Sequence, residues 1–235
     1  MKTKNSSKGA KSKSTKKHAG VKPTLVAFLL DRTGSMSACC DETISGFNGY
    51  IDSLLEKKES KGMRFTLTQF DSQGIDVLHN CVTLEKVDKL NSDTYRPRAM
   101  TPLYDAIGKT IRATEAEAKG KYNVLFVTLT DGAENASTEW NSESVKSLIK
   151  EKEDKDHWTF AYIGVGLNGF AATQAVSKGT AGHSNVLQSD HKDTKAAYTR
   201  MATATVHYMA CVGPSGPCGP KGKPGPVAKL WDGKS

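Results

Sequence analysis

The sequence predicts an α/β protein, a three-layer sandwich with a mostly parallel central sheet, one antiparallel edge strand and helices on both faces. Apolar runs at residues 24–30, 122–130 and 158–166 are typical of strands that are buried on both faces of a parallel sheet. Segments with helical periodicity separate these runs, and such alternation of strand and helix is characteristic of α/β proteins.

The first half of the chain predicts a strand, a helix and a hairpin. After the strand at 24–30, residues 41–58 place apolar side chains at helical spacing. Residues 63–70 and 75–84 are predicted strands on either side of the turn sequence DSQG, so we expect an antiparallel pair. Asp71, which ends the first of these two strands, is predicted to be a turn residue.

The second half of the chain continues the alternation. In order, it predicts a helix over 102–118 with Thr101 as its N-cap, a strand over 122–130, a helix over 142–152, a strand over 158–166, a further helix, a short strand over 184–188 and a helix over 190–210.

Composition divides the chain into one domain, residues 23–211, between two tails that we expect to be disordered. Residues 1–22 contain eight lysines and no acidic residue, although basic and acidic residues are equal in number beyond them, at 25 each. The net charge of +8 therefore belongs to this tail. Residues 212–235 are rich in Gly and Pro, and their Gly-X-Y triplets leave open a trimerising or partner-binding segment.

The lysine-rich tail has three possible roles: a solubilising arm, a localisation signal, or an arm that binds phosphate groups non-specifically. For the last of these, the candidate nucleic-acid contacts are Lys8, Lys11, Lys13, Lys16 and Lys17. The tail has no apolar segment of the kind found in secretory signals, and no stretch of the chain is long and apolar enough to span a membrane. We therefore expect a cytoplasmic protein whose five cysteines are reduced thiols.

Polar residues follow two of the buried strands. Asp31, Thr33 and Ser35 come after the first strand, and Asp131 comes after the strand at 122–130. Thr101 precedes the predicted helix between them. Ligands of open α/β sheets bind outside the carboxyl ends of the strands, so we expect these side chains to meet there. Two carboxylates and three hydroxyls suit Mg²⁺, with Mn²⁺ or Ca²⁺ as alternatives.

The sequences DRTGS, MTP and TDG, in this order, resemble the metal-ion-dependent adhesion site of von Willebrand factor type A (vWA) domains, whose fold is Rossmann-like. The resemblance covers about residues 22–210, and YIGVGLNGF (162–170) is similar to a segment of intracellular bacterial and phage members. It implies that Thr33, Ser35 and Thr101 contact the metal directly and that Asp31 and Asp131 act mostly through water. It also implies that a partner's Asp or Glu completes the coordination. Thr33 departs from the serine that is usual at its position.

Four further residues are candidates for the second shell of the metal or the rim of the ligand face. These residues are Asp105, Gly132, Glu134 and Asn135. Asp105 is better explained as a brace of the loop, and ordinary loop polarity explains Glu134 and Asn135 equally well. Gly132 permits a sharp exit from the strand.

The resulting functional prediction is a non-enzymatic, metal-dependent protein-binding module of bacterial or phage origin. The alternatives are a nucleic-acid-associated protein that uses the lysine arm, and an accessory subunit of an AAA+ machine. The six histidines show no metal-ligand spacing, the cysteines show no C-x-x-C pair, and no general base accompanies the predicted ligands. GVGLNG (164–169) matches a dinucleotide-binding loop only as an isolated motif, and a G-x-S-x-G nucleophile motif is absent.

Overall fold

The computed structural model describes residues 22–155 and 157–213. The predicted tails and the lysines at 8, 11, 13, 16 and 17 therefore lie outside the described residues, apart from a few positions at the tail boundaries. Within the described part, the strands are β1 (Thr24–Asp31), β2 (Arg64–Asp71), β3 (Gly74–Thr83), β4 (Asn123–Thr130), β5 (Trp158–Val165) and β6 (Val186–Ser189). The helices there are α1 (Cys40–Leu55), α2 (Leu103–Ala118), α3 (Ser142–Lys155), α4 (Gly166–Ser177) and α5 (Thr194–Val212).

The strands form one sheet in the order β3-β2-β1-β4-β5-β6. Neighbouring strands are parallel except β2 and β3, which form the antiparallel pair at one edge. This confirms the predicted α/β sandwich with one antiparallel edge strand. Because the chain leaves β1 toward β2 and later returns to β4 on the other side, the strand order reverses between β1 and β4.

The central strand β1 is fully buried because its alternate side chains enter two different cores. On one face they pack with α1 and α5, and on the other with α2, α3 and α4. Phe28 illustrates the first core, since its ring stacks on Tyr198 of α5 with centroids 5.9 Å apart and lies 5.9 Å from the ring of Phe47 in α1. Burial of large aromatic side chains of this kind contributes roughly 1.5–3 kcal/mol each.

The element boundaries differ from the sequence-based prediction mainly near the ends. The predicted helix at 190–210 begins with a separate 3₁₀ turn, His191–Asp193, before α5. The predicted strand at 184–188 is shifted to β6. Apolar periodicity marks the middle of an element well, but the ends depend on local hydrogen bonds that the pattern does not encode.

Candidate metal centre

The predicted ligands lie outside the carboxyl ends of β1 and β4, where the strand order reverses. Asp31 is the last residue of β1, and Asp131 directly follows Thr130, the last residue of β4. The parallel register pairs Leu30 with Leu129, which places Asp31 level with Thr130. The crevice between these strand ends is the usual position of a ligand in such sheets.

The loop after β1 is folded by Asp31 itself. Asp31 Oδ1 accepts a hydrogen bond of 2.7 Å from the backbone N–H of Thr33, and a 3₁₀ turn, Gly34–Cys39, follows. This turn brings the hydroxyl oxygens of Thr33 and Ser35 to 3.3 Å from each other. Alternate residues along the chain therefore present their oxygens side by side, as chelation of one cation requires.

Two hydrogen bonds join the ends of β1 and β4. Ser35 Oγ donates to Asp131 Oδ1 at 2.6 Å, and Thr130 Oγ1 donates to Asp31 Oδ2 at 2.5 Å. Each carboxylate is therefore held by a hydroxyl from the opposite strand end. The two aspartates belong to one connected cluster.

Thr101 reaches the same cluster from the loop before α2. The backbone N–H of Thr101 donates to Asn135 Oδ1 at 2.8 Å, and the N–H of Asn135 donates to the Thr101 carbonyl oxygen at 3.1 Å. A Cβ on Gly132 would lie 2.9 Å from Thr101 Oγ1 and 3.4 Å from Ser35 Oγ, so glycine is needed for this approach. The structure thus brings together Asp31, Thr33, Ser35, Thr101 and Asp131, which we call the oxygen cluster.

The carboxylates of the oxygen cluster are costly to ionise without a cation. Burial raises the pKa of Asp31 to about 7, against the lowering effect of hydrogen bonds from Thr130 and Thr33, and the charge of Asp131 raises it further. Burial also raises the pKa of Asp131, opposed by Ser35 and His191. A divalent cation would offset both penalties, and the donor set of two carboxylates and three hydroxyls fits a hard ion such as Mg²⁺.

Asp105 and Glu134 support the cluster from the side of α2. Asp105 accepts three backbone hydrogen bonds of 2.7–3.0 Å from residues 138–140, in the loop that follows β4. Glu134 accepts hydrogen bonds from the backbone N–H of Tyr104 and from both the N–H and the hydroxyl of Ser137. Both carboxylates are thus directed at the loop and at the start of α2.

The prediction that Thr101 caps α2 is wrong. The N-cap position is Pro102, and its side chain makes no capping hydrogen bond. Glu134 Oε2 accepts from the N–H of Tyr104 instead, and Ser137 Oγ accepts from the N–H of Asp105. Two residues from the loop after β4 therefore satisfy the N-terminus of α2, and the Thr101 hydroxyl lies against Gly132.

An ion-pair network of Arg32, Asp71 and Arg98 lies next to the loop after β1 and could not be predicted from the sequence. Asp71, predicted as a turn residue, does accept the N–H groups of Gln73 and Gly74. In addition it accepts hydrogen bonds from Arg32 Nε at 2.9 Å and Arg98 Nε at 2.8 Å. Burial favours the neutral form of Asp71, but these hydrogen bonds outweigh it and lower its pKa. Because Arg98 lies three residues before Thr101, this network ties the Thr101 loop to β1.

His191 and Cys39 are a second pair of residues that the sequence pattern did not indicate. His191 Nε2 lies 3.3 Å from Asp131 Oδ2, so the fold places an imidazole beside the predicted ligands, where the sequence indicated no general base. Cys39 Sγ also lies beside Asp131. Residues 39, 131 and 191 come from three separate elements, so only the tertiary fold reveals this juxtaposition.

The sheet order and the position of the cluster define a vWA-like fold. The chain is similar in structure to proximal thread matrix protein 1 from the mussel byssus, with a TM-score of 0.56 and 14% identity over 78% of this chain and 46% of that protein. The vWF domain of the type V pili tip protein Mfa5 from Porphyromonas gingivalis gives a TM-score of 0.55 and 11% identity over 80% of this chain and 96% of that domain.

The pilus adhesin SpaC from Lactobacillus rhamnosus GG, in its open conformation, gives a TM-score of 0.62 and 13% identity over 79% of this chain and 30% of the adhesin. The chain spans about half the length of the mussel protein and less of SpaC. No protein-family model and no curated sequence matches the chain, so the likeness is one of fold.

Proposed function

We propose that the chain is a protein-binding module that captures a partner's Asp or Glu side chain through a divalent cation, Mg²⁺ in the first place, at the oxygen cluster. The observation that carries this proposal is the convergence of Ser35, Thr101 and Asp131 beside Gly132. Five oxygen-bearing residues from three loops meet in the crevice where ligands of such sheets bind.

The neutral hydroxyls explain why an external anion would be taken. Thr33, Ser35 and Thr101 would hold the cation without neutralising it, and Asp31 and Asp131 orient those hydroxyls by hydrogen bonds to the Thr33 N–H and Ser35 Oγ. When bound, Mg²⁺ supplies a Lewis-acidic position for an anionic oxygen. The residues of the chain bind and orient, and the proposal includes no chemical step.

Two exposed apolar side chains favour a protein as the partner. Met100, next to Thr101, is 56% exposed, and Leu167, near the start of α4, is 80% exposed. The start of α4 adjoins the cluster, because a Cβ on Gly169 would lie 2.7 Å from the Cα of Asp131. Apolar side chains around a charged centre suit a partner surface that carries apolar groups beside its carboxylate.

The structural neighbours support a binding role, since one of them is a pilus adhesin and another a pilus tip protein. In the described residues, no helix is long and apolar enough to cross a membrane. A cytoplasmic location stays a prediction, as do the nucleic-acid and AAA+ alternatives.

The proposal is tested by capture of partners on the immobilised full chain, in Mg²⁺ and in EDTA. The wild type is compared with Asp131→Ala and with a matched control, Asp76→Asn, whose side chain is 53% exposed and lies outside the oxygen cluster. We expect proteins that the wild type and the control retain in Mg²⁺, that EDTA releases, and that Asp131→Ala does not retain. Equal retention by Asp131→Ala, with circular dichroism showing an intact fold, would contradict the proposal.

A further inference from the structure

A thiol, a carboxylate and an imidazole meet at Asp131, where Cys39 and His191 lie close to the carboxylate that also accepts a hydrogen bond from Ser35. One ligand atom each from Cys39, Asp131 and His191 lies within 4.8 Å of the other two. We call these residues the Cys–Asp–His trio. Among the side chains that the structure describes, no other three of these types come this close. Cys39 ends the 3₁₀ turn after β1, and His191 begins the 3₁₀ turn after β6.

The two side chains beside Asp131 are fixed by their surroundings. A Cβ on Gly166 would lie 2.7 Å from Cε1 of His191, so the imidazole occupies the space that a side chain at position 166 would need. Gly166 also has a φ of +65°, which glycine adopts without strain. Cys39 is fully buried, and Thr43 Oγ1 donates a hydrogen bond to its sulfur at 3.8 Å. The fold therefore presents both groups to Asp131.

The donor chemistry of the trio differs from that of the oxygen cluster. A thiolate, an imidazole and a carboxylate are ligands for a borderline-soft cation such as Zn²⁺, whereas Mg²⁺ prefers oxygen. Tetrahedral Zn²⁺ with bonds of about 2.0–2.3 Å separates its ligands by roughly 3.5 Å. The side chain of His191 is 39% exposed, which gives the metal a path from solvent.

We propose that Cys39, Asp131 and His191 form a Zn²⁺ site that shares Asp131 with the oxygen cluster. The two carboxylate oxygens of Asp131 have different neighbours, since Oδ1 accepts from Ser35 and Oδ2 lies 3.3 Å from His191 Nε2. One oxygen thus serves each site. Cys39 and His191 take no part in the oxygen cluster, so replacing either residue tests this site without removing a proposed Mg²⁺ ligand.

The experiment measures Zn²⁺ retained by the full-length chain after equilibrium dialysis under reducing conditions, by mass spectrometry of the metal. His191→Ala and Cys39→Ser are compared with two matched controls. Cys40→Ser changes the neighbouring cysteine, which is not in the trio, and His207→Ala removes a histidine whose Nε2 lies 3.9 Å from Cys211 Sγ on the exposed face of α5. We expect the wild type and both controls to retain one more equivalent of Zn²⁺ than His191→Ala or Cys39→Ser.

Substitution with Co²⁺ provides a second readout that is specific for the sulfur ligand. We expect a thiolate-to-cobalt charge-transfer band in the wild type and in Cys40→Ser, and its loss in His191→Ala. Because Cys39 is buried and its replacement can disturb folding, the decisive variant is His191→Ala, which changes a partly exposed side chain. Unchanged Zn²⁺ content in His191→Ala, or a wild-type cobalt spectrum without the thiolate band, would overturn the proposal.

Magnesium binding, measured by calorimetry on the same proteins, separates this inference from the proposed function. Retained Mg²⁺ binding in His191→Ala together with lost Zn²⁺ supports two sites. Failure of the wild type to bind Mg²⁺ counts against the proposed function. The Zn²⁺ measurement still shows whether the Cys–Asp–His trio binds Zn²⁺.

Discussion

Ser35 Oγ and Asp131 Oδ1 are 2.6 Å apart, although 96 residues separate them along the chain. This hydrogen bond connects the loop after β1 to the loop after β4 at the point where the strand order reverses. It is a direct contact between a hydroxyl and a carboxylate that both belong to the oxygen cluster. The hydrogen bond therefore holds two of the proposed ligands together.

The Ser35–Asp131 bond predicts energetic coupling between the two residues. In EDTA, we expect Ser35→Ala to lower the free energy of unfolding by about 1.5–3 kcal/mol, the usual contribution of a hydrogen bond to a charged group. In the Asp131→Ala background the same substitution has little effect, because its acceptor is already absent. Urea denaturation of the double-mutant cycle measures this coupling. Strictly additive effects would show that the bond contributes nothing.

The buried carboxyl group of Asp31 predicts an unusual dependence of stability on pH. Its pKa is raised from 3.8 to about 7 by burial, so between these values the folded protein holds a proton that the unfolded chain has lost. The contribution of Asp31 to stability therefore falls as pH rises from about 4 to about 7, at up to about 1.4 kcal/mol per pH unit.

Urea denaturation across this pH range, in EDTA, checks the effect. We expect the wild type to lose stability relative to Asp31→Asn as pH rises, since the amide does not titrate. Mg²⁺ should reduce the difference in slope, because a bound cation favours the ionised carboxylate. Parallel pH profiles for the two proteins in EDTA would be inconsistent with a buried, proton-binding Asp31.

The Arg32–Asp71–Arg98 network predicts that replacing Asp71 lowers the stability of the protein much more than replacing Asp76. Asp71 is fully buried, and its replacement leaves the nearly buried Arg32 with Asp76 as its remaining ionic partner in the described part of the chain. We expect Asp71→Asn to cost about 3–5 kcal/mol of stability, as loss of a buried ion-pair partner does. The control Asp76→Asn removes a half-exposed partner and should cost about 0–1 kcal/mol. Thermal or urea unfolding compares the two, and similar costs would contradict this assignment.

Substitution of Gly132 is expected to weaken metal binding, although this residue has no side chain that could bind the metal. In Gly132→Ala the new methyl group would lie 2.9 Å from Thr101 Oγ1, which displaces this hydroxyl from the cluster. We expect Mg²⁺ affinity to fall by about 10–100-fold, as it does when residues that orient metal ligands are changed. Calorimetric titration measures this change. The control Gly49→Ala, in α1 with open space at the Cβ position, should leave affinity unchanged.

The sequence was sufficient to predict the sandwich, the antiparallel β2–β3 edge and the place where polar residues would meet. These features follow from apolar runs and from the rule that ligands bind at the carboxyl ends of strands. The support of the site could not be predicted in this way. Glu134, rather than Thr101, bonds the start of α2, and this depends on the path of the loop after β4.

The two residues that lie beside Asp131 could not be predicted from the sequence either. Cys39 and His191 lie 152 residues apart along the chain and share no spacing that would indicate a common site. Their meeting depends on the register of β6 beside β5, and on the glycine at position 166 that accommodates the imidazole. Such contacts between distant elements are set by tertiary packing, which local periodicity does not report.

The most direct test of the oxygen cluster is the broadening of backbone amide resonances by Mn²⁺, used as a paramagnetic substitute for Mg²⁺. We predict selective broadening around residues 31–35, 101 and 131–132, reversed by excess Mg²⁺ and absent in Asp31→Asn. Asp31→Asn keeps the shape of the side chain and removes its charge, so it also serves as the structural control. Broadening centred elsewhere, or unchanged in Asp31→Asn, would contradict a divalent-metal site at the ends of β1 and β4.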